Sequence, residues 1–550
     1  MLEPLYTLPR ASFEAASRLG MGRPMLELFD GVVGMPRYDF LGGVDERIRS
    51  YEPDSGAAKG VVLFPVFPAF DGVLYRACIL AHAFRTRGYR PVMLDCKRDC
   101  DTCQFEDCLY EMAGEVGPTT PVLCRMDSHE IPAAFGLETW SLGEVLDDGY
   151  EPPVVPLRPD ATYRKVPVGQ YALASARKFL KKHHLDLDTP VDRSVFGSYL
   201  RTATTLADVY HSLFADDLFD VVVTNETVYV HGGVPLSVAD AYGVSGYSHD
   251  VGYQDGSIVF GNTGNRNTEP YFSDDAVVEA FLAEPLDEDQ ERALTAAMDE
   301  RSGGEGTFLF SSMADVSVET PADHAVAGMF TNLVWDASLQ VGPDDVAFDD
   351  VFDWVAATVD DFLEHDDRTL VIKTHPAELD IGTNEDVTTW IRRRYGELPS
   401  NVHLLPPDTA VNTYQLMRDI DVGLTYTTTV GIEMAYTGLP VVVAGEACYR
   451  GYGFTVDPDS PAAYVERLHA LEDLTLTEEQ RARARRFAYY ALVHQCFPFP
   501  YVSVDMKRQQ YQYHPVAHDE LTPGNEPFDT IVGKMSGGDP VVPGDRTDSV

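Results

Sequence analysis

At 550 residues the chain exceeds what one hydrophobic core of roughly 100–200 residues accommodates, so two large domains are expected. With 44% apolar and 11% aromatic residues, wholesale disorder is excluded. The 87 Asp and Glu against 42 Lys and Arg give a formal charge of -45, which excludes general binding of nucleic acid or anionic membrane except at a local basic patch.

No apolar run reaches the roughly 18 residues of a membrane-spanning helix, and the first twenty residues lack a charged region followed by an apolar one. A cytoplasmic protein is expected. The Cys are four clustered and four scattered, unlike a secreted disulfide framework.

Residues 1–58 read as a helical lead-in punctuated by Gly and Pro. GVVLFPVF (60–67) is a continuous apolar run of the buried parallel type, followed by a helix over 72–87, a stop at Gly88 and a second strand, PVMLD (91–95). That βαβ opening continues with helices near 168–184 and 193–217, a strand at 219–224, a helix near 233–242 and a strand near 245–249, which predicts one doubly wound domain over 59–262. NTGNRNTEPYF (262–272) has the composition of a linker. A second α/β series over 273–475 has expected strands GTFLFSS (306–312), RTLVIKT (368–374), NVHLL (401–405), DVGLTY (421–426) and LPVVV (439–443). Residues 476–514 read as a closing helix and crossover. The five Pro and five Gly of 515–550 predict a disordered tail. The expected fold is α/β, two doubly wound Rossmann-like domains facing a cleft.

Ligands of open α/β sheets bind beyond the carboxyl ends of strands. VIKTHPAE places Lys373 and His375 at such an end, with Pro376 biasing His375 away from helix. DVGLTYTTTVGIEMAYTGLPVVV places Thr427, Thr428 and Thr429 at a helix start, where backbone N–H groups, the dipole and hydroxyls together suit a phosphate. Glu433, one turn on, lies beyond capping-box spacing and is a candidate acceptor for ribose hydroxyls. GEACYRGYGFTVD (445–457) adds glycines that let the backbone approach a ligand, and aromatic faces.

The order of an HP dipeptide after a strand, a Thr-rich turn, G-x-E, G-x-P-V and G-x-x-x-Y-x-G-x-G-x-T resembles the C-terminal domain of capsule-polysaccharide glycosyltransferases of GT-B fold, including Kdo transferases and sialyltransferases. The resemblance spans about 365–457. It implies that His375 and Thr427–Thr429 hold a donor nucleotide phosphate, with Glu433 on the ribose. Ser311 and Ser312, ending the expected first strand of the donor domain, are further phosphate candidates. On the acceptor side, an inverting transfer needs a general base, and Glu226, His231 and Asp71 stand at strand ends. No D-x-D motif stands at a clear strand end, and no catalytic cofactor is expected. The implied partners are a nucleotide-sugar donor and a glycan or lipid-linked acceptor. Alternatives on the same fold are a nucleotide-sugar 2-epimerase and a non-catalytic glycan assembly or export factor.

Cys96, Cys100, Cys103 and Cys108 have a spacing that can close on a structural zinc or iron–sulfur cluster, with local disulfides or free thiols as alternatives. Residues 164–184 hold four of the nine Lys. Arg177, Lys178, Lys181 and Lys182 there are candidates for an anionic acceptor or for peripheral contact at the inner face of a membrane, against a solvated helix face. The Lys-poor, acid-rich balance is similar to that of cytoplasmic proteins from extreme halophiles.

Overall fold

A computed structural model describes residues 38–53, 56–65, 71–96, 102, 120–146, 149–262, 275–303, 324–340, 346–409, 411–505 and 510–544. The first domain is built on a sheet whose strands are β1 (Val61–Pro65), β2 (Arg90–Asp95), β3 (Glu138–Ser141), β4 (Val221–Thr224), β5 (Ser245–Val251) and β6 (Ser257–Asn262), with the late strand β12 (Phe497–Pro498) at one edge. The second is built on β7 (Ala325–Phe330), β8 (Arg368–Lys373), β9 (Val402–Leu405), β10 (Val422–Thr425) and β11 (Val441–Val443).

Both sheets carry the same parallel order. In the first it runs β3-β2-β1-β4-β5, extended by antiparallel β6 and β12; in the second, β9-β8-β7-β10-β11. Strand order therefore reverses between β1 and β4 and again between β7 and β10, and the crevice beyond the carboxyl ends at such a switch point is where this architecture takes ligands. Alternation along β1 shows why the fold is layered. Val62 and Phe64 pack on the Asp71–Thr86 helix side, while Val61 and Leu63 pack on the side of the Val168–Leu180, Pro190–Ala215 and Val230–Tyr242 helices. In the second sheet Val326 and Phe330 face the Glu288–Ser302 and Glu478–Tyr489 helices, and Ala327 and Met329 face the Val351–Glu364 helix.

Two expectations change. The expected strand 306–312 lies outside the described residues, and the first described strand of the second sheet is instead Ala325–Phe330, with all six residues buried. The C-terminal region is not a disordered tail through residue 544. The Phe528–Gly537 helix buries Phe528, Ile531, Val532 and Met535 in the first domain's core, against the Asp71–Thr86 helix, so the chain returns to where it began after the closing helix and β12. The four apolar residues stand at i, i+3, i+4 and i+7, a helical stripe that the count of Pro and Gly obscured.

The basic segment is neither a solvated face nor an open anionic docking patch. Lys181 is buried, donates from Nζ to the carbonyl of Ile381 and lies over the Trp335 ring; Arg177 donates to Gln340; Lys182 pairs with Asp192. Lys178 lies 4.4 Å from the centroid of the Tyr229 ring. Two of these four cations, Arg177 and Lys181, therefore bridge to the second domain.

Candidate functional site

Beyond the carboxyl ends of β7, β8 and β10 lies a cavity of about 80 Å³, lined by Arg301, Lys373, His375, Thr428, Thr429, Glu433 and their neighbours. A larger groove of about 900 Å³ opens at the amino ends of β7, β10 and β11, around His324, Asp421 and Pro440, away from the ligand end of the sheet.

Lys373 ends β8 and is buried, which lowers its ammonium pKa. His375 follows. Its Nδ1 accepts from the Ala377 N–H at 3.2 Å, so in the neutral ring the proton sits on Nε2, which can donate. Burial lowers its pKa to about 4, so the ring is neutral at physiological pH. The helix Val430–Thr437 starts at the cavity, and its N-cap Thr429 makes no side-chain capping bond. The turn is held from behind: the Tyr449 hydroxyl donates to the Thr428 carbonyl at 2.8 Å and lies 3.0 Å from Thr425 Oγ1, which can donate to it. Gly431 is required by this packing, because a Cβ there would come within 2.1 Å of the Tyr449 hydroxyl.

The structure separates the three threonines. Thr428 and Thr429 line the cavity, whereas the Thr427 hydroxyl meets Ser338 Oγ at 2.9 Å and its N–H faces Asn332. Glu433 is not a free carboxylate awaiting ribose. Its Oε1 accepts from Arg301 Nε at 2.9 Å and Nη2 at 2.5 Å, with both side chains buried. Burial opposes the Arg301 charge, yet Glu433 together with Tyr414 and Tyr253 outweighs it and holds the guanidinium pKa above its usual value. Arg301 was not legible in the sequence. It ends an acidic helix and belongs to no motif. Ser311 and Ser312 lie outside the described residues; the corresponding place after the first described strand is taken by Thr331, which lines the cavity.

The acceptor-side candidates stand at the other switch point. Glu226 lies just beyond β4, with Oε2 accepting from the Val228 and Tyr229 N–H groups at 2.8 and 2.7 Å and Oε1 buried without a hydrogen-bond partner among the described residues. Burial raises its pKa to about 7, against the lowering effects of the Tyr229 N–H and the nearby Lys178. His231, in the first turn of the Val230–Tyr242 helix, is buried and its pKa lowered to about 4. Asp71 opens the helix after β1 and faces Tyr513. Cys96 is buried at the end of β2, while Cys100, Cys103 and Cys108 lie outside the described residues.

Residues 332–487 match the family model described as capsule polysaccharide biosynthesis protein. No curated protein matches the chain. Among solved structures, two transferases of Thermosulfurimonas dismutans are similar. The KpsC beta-Kdo 2,4 transferase has 13% identity and a TM-score of 0.35, over 58% of this chain and 88% of its own. The KpsC beta-Kdo 2,7 transferase has 14% identity and a TM-score of 0.34, over 57% and 87%. The UDP-GlcNAc 2-epimerase of Neisseria meningitidis has 11% identity and a TM-score of 0.25, over 78% and 95%. The matched stretch begins just after β7 and includes the HP turn, the threonine turn and Glu433, so within this two-domain α/β chain the similarity to the capsule polysaccharide biosynthesis model lies in the second domain and the closing helix.

Proposed function

We propose that the protein is a glycosyltransferase that moves a sugar from a nucleotide-sugar donor to a surface-glycan or lipid-linked acceptor, with inversion at the anomeric carbon. The observation that carries this reading is the convergence of Lys373, His375, Thr428, Thr429 and a helix N-terminus on one cavity inside the family match. A cation, a neutral N–H donor, hydroxyls and the positive end of a helix are what a departing nucleotide phosphate needs.

In the reaction so read, Glu226 takes the proton of the acceptor hydroxyl. The acceptor oxygen forms its bond to the anomeric carbon as the bond from that carbon to the phosphate oxygen breaks. The charge left on the nucleotide is met by Lys373, by His375 Nε2–H and by the threonine turn. These groups supply stabilisation without a catalytic metal or cofactor, which makes the transfer metal-independent in this reading. A nucleotide sugar made in the cytoplasm places the enzyme there, at the inner face of the membrane where lipid-linked acceptors present their glycans. No helix among the described residues is long and apolar enough to cross a membrane.

The deciding experiment is a screen of CMP-, UDP- and GDP-sugars for thermal stabilisation, followed by transfer assays with the donor that binds. One donor class stabilising the wild type but not His375→Ala, with both folded, is the expected result. Equal stabilisation of the two proteins removes His375 from the phosphate site, and stabilisation by none removes the reading.

A further inference from the structure

A second group of chemically matched side chains lies where the two domains meet, and it shares no residue with the His375 cavity. The Val168–Leu180 helix of the first domain ends at Lys181 in a left-handed conformation (φ 50°, ψ 48°), which turns the following His183 and His184 toward the second domain. His183 is 4% exposed and its Nδ1 lies 3.1 Å from the Val334 carbonyl, an acceptor only, so Nδ1 carries the proton. His184 Nδ1 lies 2.6 Å from Glu385 Oε1. With both Nδ1 atoms donating, both Nε2 atoms point at one carboxylate oxygen, and on His184 that position holds a proton whenever no metal ion replaces it. Asp350 Oδ2 is 3.4 Å from His183 Nε2 and 2.8 Å from His184 Nε2.

The carboxylates are oriented as firmly as the rings. Asp350 caps the Val351–Glu364 helix through Oδ1, which accepts from the N–H groups of Phe352 and Asp353, leaving Oδ2 for the histidines. Glu385 Oε2 accepts from the backbone N–H of both His183 and His184 at 2.9 Å, which aims Oε1 at the His184 ring. The ligating atoms of His183, His184 and Asp350 lie within 4.8 Å of one another. Three convergent donor atoms need a positive charge among them, and either a proton on His184 Nε2 or a metal ion in its place supplies it.

We propose that His183, His184 and Asp350 form a binding site for a divalent transition-metal ion of the zinc class, joining the two domains. Two imidazoles and one carboxylate suit zinc better than magnesium or calcium, which take oxygen ligands. The 3.4 Å separation of His183 Nε2 from Asp350 Oδ2 matches the edge of a tetrahedron with bonds of about 2.0–2.2 Å, whereas the 2.8 Å to His184 Nε2 is a hydrogen-bond length that has to open when an ion replaces the proton. Each histidine also gives its other N–H to a carbonyl or carboxylate, the arrangement that fixes the tautomer and ring orientation of a metal ligand. His184 is half exposed, so an ion has a way in and a fourth corner for water.

Asp361, His365 and His469 make a similar triad, but there Asp361 is already paired with Arg368 at 3.0 Å. Among the described residues no Lys or Arg side chain is hydrogen-bonded to Asp350 or Glu385. The nearby Arg177 donates to Gln340 instead.

The test uses the full chain, stripped with a chelator and titrated with Zn²⁺ alone by calorimetry, with Co²⁺ absorption as a spectroscopic readout. Because the four clustered cysteines form a separate candidate zinc sink, a Cys96→Ser, Cys100→Ser, Cys103→Ser, Cys108→Ser variant is the parent protein. The expected result is one equivalent of metal with imidazole and carboxylate, but no thiolate, signatures in the Co²⁺ spectrum. Asp350→Asn preserves a helix cap, and His184→Ala removes one ring; each should weaken binding at least 100-fold. Glu385→Gln, which alters only the carboxylate behind His184, should weaken it about 10–100-fold. Apo-protein melting curves verify that the variants fold. A parent that binds no Zn²⁺ at micromolar concentration, so that a proton alone occupies His184 Nε2, overturns the site, as does unchanged affinity in Asp350→Asn and His184→Ala.

Discussion

Arg301 and Glu433 form a buried ion pair on the wall of the His375 cavity, joined through Nε and Nη2 to a single carboxylate oxygen, although 132 residues separate them in the chain. Removing one partner leaves the other charge unpaired and almost wholly buried. Arg301→Ala and Glu433→Ala should each lose about 3–5 kcal/mol of stability, and the double replacement by Met and Leu should recover most of it. Urea midpoints for the two single variants and the double variant check this. Additive losses would mean that the pair is not coupled.

His375 is expected to act as a neutral donor, because burial holds its pKa near 4. His375→Ala should reduce kcat about 10²–10³-fold, the usual effect of removing one donor to developing negative charge. His375 should add no ionisation to the activity profile between pH 5 and 8. Stability has its own pH sign. The unfolded ring takes a proton near pH 6.5 and the folded one only near 4, so the folded protein loses stability as pH falls through that interval. A His375→Gln variant should show a smaller acid loss in denaturation between pH 6.5 and 4.

Glu226 must be ionised to accept a proton, and burial raises its pKa to about 7. Activity should therefore rise with pH through about 7, and Glu226→Gln should remove the transfer while leaving donor binding intact. Its effect on stability runs the other way. A raised carboxyl pKa contributes stability that is complete below about 4.5 and is lost as pH rises through about 7, when charge appears in a buried site. The glutamine variant should be the more stable protein at pH 8. A pH–rate profile without the ionisation near 7 would remove Glu226 as the base.

Sequence pattern was sufficient where chemistry and periodicity coincide. The apolar runs at 60–67 and 91–95 became β1 and β2, and the HP and threonine turns came together at strand ends although they are about 50 residues apart. It was insufficient where a partner is distant. Arg301 joins the cavity through a contact that no local motif encodes, Thr427 is drawn aside by Ser338, and Lys181 is committed to a carbonyl of the second domain. Strand AVAGMF (325–330) was missed because its small residues weaken the apolar signal, and Gly328 is there because a Cβ would meet the Ile420 side chain at 2.5 Å.

The C-terminal region gives the most decisive test of the revised architecture. Phe528, Ile531, Val532 and Met535 are all at most 2% exposed, and the helix that carries them packs against the Asp71–Thr86 helix and β5. Burial of such side chains is worth about 1.5–3 kcal/mol each, so four contribute on the order of 6–12 kcal/mol before ordering costs. That is comparable to the roughly 5–15 kcal/mol by which a typical protein is stable. Deleting 515–550 should therefore unfold the first domain or drive it to aggregate, whereas deleting only 545–550 should leave melting unchanged. Ile531→Ala alone should cost about 2–5 kcal/mol through the cavity it leaves. Thermal melts of the three variants decide the point: a soluble, cooperatively folded 515–550 deletion would show that the helix is an accessory to the domain and not part of its core.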